Sequence, residues 1–101
     1  MAETLILDYP LVKIGLSRLK ALAHPLRLQI INFIDKQGET NVNKIYRSLK
    51  LEQSITSQHL KILRAAEVVE TRREGKKIYY SLHYKNIKHL MDTALKFQSK
   101  K

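Results

Sequence analysis

Short hydrogen-bonding side chains recur along a predicted helix between Gln53 and Arg64. At 3.6 residues per turn, the apolar residues of this helix leave Ser54, Ser57 and Gln58 facing solvent. Side chains of Ser, Thr and Gln match the donor and acceptor pattern of base edges in the major groove of DNA, whereas Lys and Arg reach phosphates or guanine. The sequence therefore predicts a DNA-contacting helix. Its predicted contacts are Gln53, Ser54, Thr56, Ser57, Gln58, Lys61 and Arg64.

A basic β-hairpin is predicted directly after this helix. Residues 68–73 and 76–82 alternate as strands do, and Glu74-Gly75 marks a tight turn between them. A narrow basic hairpin fits along a minor groove or its phosphates, so the cations beside the turn are predicted DNA contacts. They are Arg72, Arg73, Lys76 and Lys77. Ordinary solvated surface is the alternative, both for these cations and for Ser57 and Gln58.

The net charge of +10 is concentrated in the second part of the chain. Residues 1–40 contain five Lys or Arg and four Asp or Glu, a net charge of +1, whereas residues 41–101 contain fourteen and five, a net charge of +9. A polyanion-binding surface is therefore expected in the second part. Solubility alone would explain the sign of the charge but not its position around a polar helix and a hairpin.

Three segments give the chain a family resemblance. They are ALAHPLRLQII at residues 21–31, SITSQHLKIL at residues 54–63 and RREGKKIYYSL at residues 72–82. Together they resemble the ArsR family, the bacterial arsenic- and metal-responsive repressors. The resemblance implies a winged helix-turn-helix, mainly α with a small antiparallel β-hairpin and about five helices. It also implies a homodimeric repressor that binds a pseudo-palindromic DNA operator and blocks polymerase sterically.

Two positions depart from the family pattern. Glu52 stands where the family usually has Ser or Thr before the DNA-contacting helix, and it is a poor N-cap although its charge suits the helix dipole. Ala66-Glu67 stands where the family usually has Gly after the same helix, so a left-handed cap would cost more here than with glycine. Neither departure removes a predicted DNA contact.

The remaining pattern predicts the scaffold of one domain over residues 1–101. Pro25 suits the first position of a second helix that ends near Gly38, and Asn41 can cap a short third helix. Residues 41–66 then form the helix-turn-helix and residues 67–82 the wing. We expect His24 to belong to the helix start. His59 and Ile55 are expected to pack inside, with a base contact for His59 and a thymine methyl contact for Ile55 as the alternatives.

Two terminal helices are predicted, at residues 5–22 and 84–97, and both are more apolar than a small core needs. Exposed on a monomer, these side chains would form a large apolar patch, so we expect a homodimer paired through the two helices. The predicted interface residues are Leu11, Ile14, Leu16, Leu19, Ile87, Leu90, Met91 and Ala94.

Metal binding finds little support in the residue types. The chain has no cysteine, which excludes disulfides and thiolate metal sites. His89 and Asp92 are three residues apart on a predicted helix and are weak metal candidates, with His83 nearby, but the other ligands of the family's common site are missing. We expect neither a metal nor another cofactor. The inducer, if there is one, is not identified by the sequence.

Catalytic motifs are also missing: the chain has no Gly-rich phosphate loop, nucleophile elbow or HExxH motif. No apolar run reaches 18 residues and no signal-type start is found, so we expect a soluble, cytoplasmic protein of a bacterial or archaeal cell, at the nucleoid and not at a membrane. Two alternatives to a sequence-specific regulator are a non-specific architectural or RNA-binding winged helix and a protein-interaction module. The second would leave the basic wing unexplained.

Overall fold

The computed structural model describes residues 8–99, which form five helices around a three-stranded antiparallel sheet. The helices are α1 (Tyr9–Leu22), α2 (Pro25–Gln37), α3 (Val42–Ser48), α4 (Gln53–Ala65) and α5 (Tyr84–Ser99). The strands are β1 (Glu39–Thr40), β2 (Val69–Glu74) and β3 (Lys77–Leu82). The predicted winged helix-turn-helix is confirmed, with α3 and α4 as its helix pair and β2–β3 as its wing.

The sheet has the strand order β1-β3-β2. Strands β2 and β3 pair along their whole length, from Val69 opposite Leu82 to Glu74 opposite Lys77, and Gly75 makes the turn between them with φ of +64°. The short strand β1 was not predicted. Its two residues pair only with Tyr80 and Ser81 of β3, too short a stretch to leave a periodic signal in the sequence.

The helix boundaries of α2 and α3 follow from their end residues, as predicted. His24 is the N-cap of α2, because its Nδ1 accepts a hydrogen bond from the Leu26 amide (3.1 Å), and Pro25 is the first helical residue. Gly38 ends this helix with φ of +79°. Asn41 caps α3 through its Oδ1, which accepts from the Lys44 amide (3.0 Å).

Left-handed residues end both helices of the helix-turn-helix. Lys50 has φ of +56° after α3, and Glu67 has φ of +59° after α4. Each lies in a Schellman-type turn: the Leu51 amide donates to the Tyr46 carbonyl and the Val68 amide to the Leu63 carbonyl. Because neither residue is glycine, each turn carries the energetic cost of a left-handed backbone that the sequence predicted for the end of α4. Arg18 forms an ion pair with the Glu67 carboxylate, and Asn86 Nδ2 donates to the Glu67 carbonyl (3.0 Å).

One hydrophobic core joins the helices to the sheet. Ile30 and Ile34 of α2, Ile45 of α3 and Leu63 of α4 are completely buried, as is Val68 before the wing. Each fully buried aliphatic side chain contributes about 1.5–3 kcal/mol to folding. The core therefore holds α4 against α2 and α3 and determines which side of α4 faces outward.

The first helix is described only from Tyr9, and Asp8 is its N-cap, with Oδ1 accepting from the Leu11 amide (3.4 Å). Residues 5–7 of the predicted first helix lie outside the described residues. No helix within residues 8–99 is long and apolar enough to cross a membrane.

The left-handed conformation at Lys50 leads to a stability prediction. A Cβ costs about 1–2 kcal/mol in this conformation, whereas glycine pays about 0.5–1 kcal/mol of extra chain entropy. Lys50→Gly should therefore be more stable than Lys50→Ala by about 0.5–1 kcal/mol in urea unfolding. At the exposed helical residue Lys88 the order should reverse, with Gly less stable than Ala by about 1 kcal/mol. The same order at both positions would contradict a left-handed turn between α3 and α4.

Candidate DNA interface

Helix α4 buries one narrow stripe. Thr56, Leu60 and Leu63 are spaced at i, i+4 and i+7, and each is at most 1% exposed. The prediction that Thr56 contacts DNA is therefore wrong. Thr56 is directed into the core because it lies one helical turn before Leu60, and its hydroxyl donates to the Glu52 carbonyl (2.9 Å).

The rest of the α4 surface is largely exposed and is mostly polar apart from Ile55 and Ile62. The predicted contacts that lie there are Gln53, Ser54, Ser57, Gln58, Lys61 and Arg64. Ile55 lies beside Gln58, one turn earlier on the helix, and is 41% exposed, so the expectation that it packs in the core is wrong. An exposed Ile among hydrogen-bonding side chains suits contact with a thymine methyl group. The stripe of Thr56, Leu60 and Leu63 is the sequence signal that would have placed Ile55 outside.

The start of α4 is held without a side-chain cap. Glu52 occupies the N-cap position, but its carboxylate makes no bond to the helix amides, in agreement with its being a poor cap. Instead Glu52 Oε1 accepts a hydrogen bond from the Ser54 hydroxyl (2.5 Å). The negative charge still lies at the positive end of the helix dipole.

His59 is half-buried on the side of α4 that meets α2, where it packs and hydrogen-bonds as expected. Its ring is 4.8 Å from the His24 ring, and its Nδ1 is 3.3 Å from Arg27 Nη1. Arg27 also donates from Nε to the Ala21 carbonyl (2.6 Å), so one guanidinium connects α4 to the end of α1. Burial, together with the charges of His24 and Arg27, lowers the pKa of His59. The neutral imidazole is therefore favoured, and it braces the inner side of α4 while the outer face stays free.

Arg72 is bound within the sheet. It lies on β2 opposite Tyr79 of β3, whose ring centroid is 4.8 Å from the guanidinium carbon. Its Nε and Nη2 donate to the two carboxylate oxygens of Glu39 on β1, at 3.1 and 2.8 Å. This bidentate pair spans all three strands, and Glu74 Oε1 is 3.6 Å from Nη1. The hydrogen bond raises the pKa of Arg72 and lowers that of Glu39.

The other three wing cations are exposed and unneutralised. Within the described part of the chain, no carboxylate oxygen lies within 4 Å of Arg73, Lys76 or Lys77. Arg73 lies opposite Ile78, on the face of the wing away from Arg72. Lys76 follows Gly75 in the turn, so these charges surround the tip of the hairpin.

The two terminal helices carry an exposed apolar surface. On α1, Leu11, Ile14 and Leu16 are each at least 50% exposed. Met91 of α5 is 43% exposed and Ala94 is also exposed. The other predicted interface residues are buried within the protomer to differing degrees: Leu90 is only 8% exposed, and Leu19 and Ile87 pack partly against the core.

The weak metal candidates do not meet additional ligands. His89 and Asp92 are exposed on α5. His83 instead caps the start of α5, because its Nδ1 accepts from the Asn86 amide (3.2 Å). Across residues 8–99, no three His, Cys, Asp or Glu side chains are grouped to hold a metal ion.

Comparisons with known proteins agree with this architecture. Residues 24–71 match the family model described as "Bacterial regulatory protein, arsR family". The transcriptional repressor PagR of Bacillus anthracis is 46% identical over 65 residues, which cover 64% of this chain and 65% of PagR. The match thus spans just under two thirds of that relative. A regulator of Mycobacterium tuberculosis, Rv0081, is 34% identical over 86% of this chain and 76% of its own length.

Solved structures share the whole fold. The homodimeric winged helix-turn-helix DNA-binding domain Mb0332 of Mycobacterium bovis has a TM-score of 0.75 at 27% identity, covering 99% of this chain and 93% of that one. The crystal structure of PagR has a TM-score of 0.69 at 36% identity, covering 86% and 99%. The helix-turn-helix and wing, the family match and these relatives lead to one conclusion: the chain belongs to the ArsR family of bacterial regulatory proteins.

Proposed function

We propose that the protein is a sequence-specific transcriptional regulator that represses by occupying a pseudo-palindromic operator as a homodimer. Helix α4 of each subunit would lie in a major groove, and the two grooves would be about one helical turn apart. The wings would contact the backbone outside them. Since its target is chromosomal DNA, the protein would act in the cytoplasm, at the nucleoid.

The observation that carries this proposal is the outward face of α4. Ser57 and Gln58 are exposed there with hydroxyl and amide groups, beside the exposed apolar Ile55. These groups match base edges and a thymine methyl group, which a protein that held only the DNA backbone would not need. This favours a sequence-specific regulator over a non-specific architectural or RNA-binding protein. Similarity to the transcriptional repressor PagR supports repression as the outcome.

The apolar surface of α1 supports the homodimer. A two-fold axis would bring Leu11, Ile14 and Leu16 together with Met91 and Ala94 of α5 in an isologous interface. The same axis would place two α4 helices on one side of the DNA, so the operator's symmetry would follow from the dimer. Mb0332, described as homodimeric, supports this arrangement.

Substitution of Gln58 tests the base contacts. The probe is a duplex enriched from a random-sequence pool by the wild-type protein. Gln58→Ala should weaken binding to this duplex by about 1–3 kcal/mol and flatten base preference at one position in each half-site. Affinity for unrelated duplex should barely change, because backbone contacts supply it. Unchanged base preference in a second selection with the variant would contradict the proposed placement of α4.

Substitution of Leu16 tests the dimer. Replacing a buried Leu with a charged residue removes about 1.5–3 kcal/mol of hydrophobic stabilisation per subunit. Leu16→Glu should therefore raise the dimer dissociation constant by more than about a hundredfold. Sedimentation should show a monomer at micromolar concentration, and tight binding to the selected duplex should be lost. Leu28→Glu is the matched control, because Leu28 is an exposed leucine of α2. A wild-type monomer that binds the selected palindrome tightly would overturn the dimer model.

The role of Arg72 can be tested separately from those of the other wing cations. Its Nε and Nη2 are already bonded to the two carboxylate oxygens of Glu39, and its Nη1 lies 3.6 Å from Glu74 Oε1, so carboxylates of the fold neutralise its charge. We therefore expect Arg72 to orient the wing and not to make the direct DNA contact that the sequence predicted. Glu39→Gln should then weaken DNA binding by roughly twofold to fivefold, since a loosened wing positions its other cations less well.

If Arg72 instead contacts DNA directly, Glu39→Gln should strengthen DNA binding, because it would free Arg72 and remove a negative charge near DNA. Glu70→Gln is the matched control: Glu70 lies on the same face of β2 and is not bonded to Arg72. Tighter binding by Glu39→Gln than by Glu70→Gln, in fluorescence anisotropy at fixed salt, would restore Arg72 as a DNA contact.

A further inference from the structure

We propose that a cleft between α3 and the wing binds the phosphodiester backbone of the operator, with Lys44 as a phosphate contact. This inference rests on the proposed function and adds a third DNA-contacting element to α4 and the wing tip. The cleft has a volume of about 410 Å³. It is lined by Asn41, Val42, Asn43, Lys44, Lys76, Lys77, Ile78 and Tyr80.

The cleft exists because β1 is short. Strand β1 ends at Thr40, opposite Tyr80, and the chain turns at Asn41 into α3. A longer β1 would continue along β3 towards Ile78. Instead, the first part of β3 has no strand partner on that side, and residues 41–44 form the opposite wall.

The polar side chains of the lining match an anion that only accepts hydrogen bonds. Lys44, Lys76 and Lys77 provide ammonium groups, and Asn43 provides an amide. No Asp or Glu lines the cleft. Within residues 8–99, none of the three lysines has a carboxylate oxygen within 4 Å. Phosphate oxygens of a nucleic acid backbone are the acceptors that such a set of donors fits.

The position of the cleft in the helix-turn-helix identifies the phosphate source. When the second helix of this motif lies in a major groove, the first helix crosses the DNA backbone. Here the first helix is α3, and Lys44 lies in its first turn. The wing tip forms the other wall, so a strand that leaves the groove at α4 would pass between Lys44 and Lys76. A free phosphate or an acidic peptide would not need this alignment with α4.

The first test replaces Lys44 with glutamine. Lys44→Gln should lower affinity for the selected duplex and for unrelated duplex by the same factor, roughly tenfold at 0.1 M salt, and reduce the slope of log K against log [salt] by about one to two per dimer. Base preference should not change. Lys88→Gln on α5 removes the same charge away from the cleft and should leave the salt slope as in the wild type. Far-ultraviolet circular dichroism and thermal melting verify that both variants fold.

A second test identifies the contacted phosphate. Single neutral methylphosphonates are placed along the backbone flanking each half-site of the selected duplex. One position should weaken the wild type but not Lys44→Gln, because the contact is already lost in that variant. Equal effects of every methylphosphonate on both proteins, or equal salt slopes for Lys44→Gln and Lys88→Gln, would overturn the cleft proposal while leaving the proposed function intact. Failure of the wild type to bind any duplex would overturn the proposed function itself.

Discussion

The packing of α4 against α2 and α3 is the constraint on which the rest of the structure depends. Leu60 and Leu63 enter a core formed by Ile30, Ile34 and Ile45, and Thr56 completes the same stripe. A helix held along one stripe can present only its remaining surface, and here that surface carries Ser57 and Gln58. The interior therefore determines which side chains are available to a partner. His59 adds a polar brace at the edge of this packing, through Arg27 and His24.

The cations of the wing fall into two groups, one that is paired within the fold and one that is exposed. Glu39 neutralises Arg72 and ties β2 to β1 across the central strand. Arg73, Lys76 and Lys77 keep their charge towards solvent at the tip. Exposed cations without carboxylate partners are attracted to a polyanion, whereas a bidentate pair resists exchange. The net charge of this region is thus a poor guide to which cation contacts DNA, because carboxylates within the fold neutralise some of the cations.

The apolar outer surface of α1 has a different origin. Ala21 and Leu22, at the end of this helix, belong to the core of the protomer, while Leu11, Ile14 and Leu16 lie beyond its reach. Helix α5 shows the same division, with Leu90 buried and Met91 exposed. A small core cannot cover two long terminal helices, so their free faces suit a second copy of the chain. In that arrangement, stability and the spacing of the two DNA-contacting helices would have the same cause.

The sequence alone determined the elements whose signals are local. Pro25 begins a helix because its φ is fixed, Gly38 ends that helix because it adopts a positive φ, and Asn41 caps the next helix. The alternation of residues around Gly75 specifies the hairpin. These features were predicted because each depends on a few neighbouring residues. Three-dimensional contacts decided the rest: Thr56 is buried and Ile55 exposed because the core selects one stripe of α4, whatever the polarity of a single residue. Strand β1, the pairing of Glu39 with Arg72 and the cleft beside Lys44 join segments more than thirty residues apart in sequence, and no local pattern encodes such contacts.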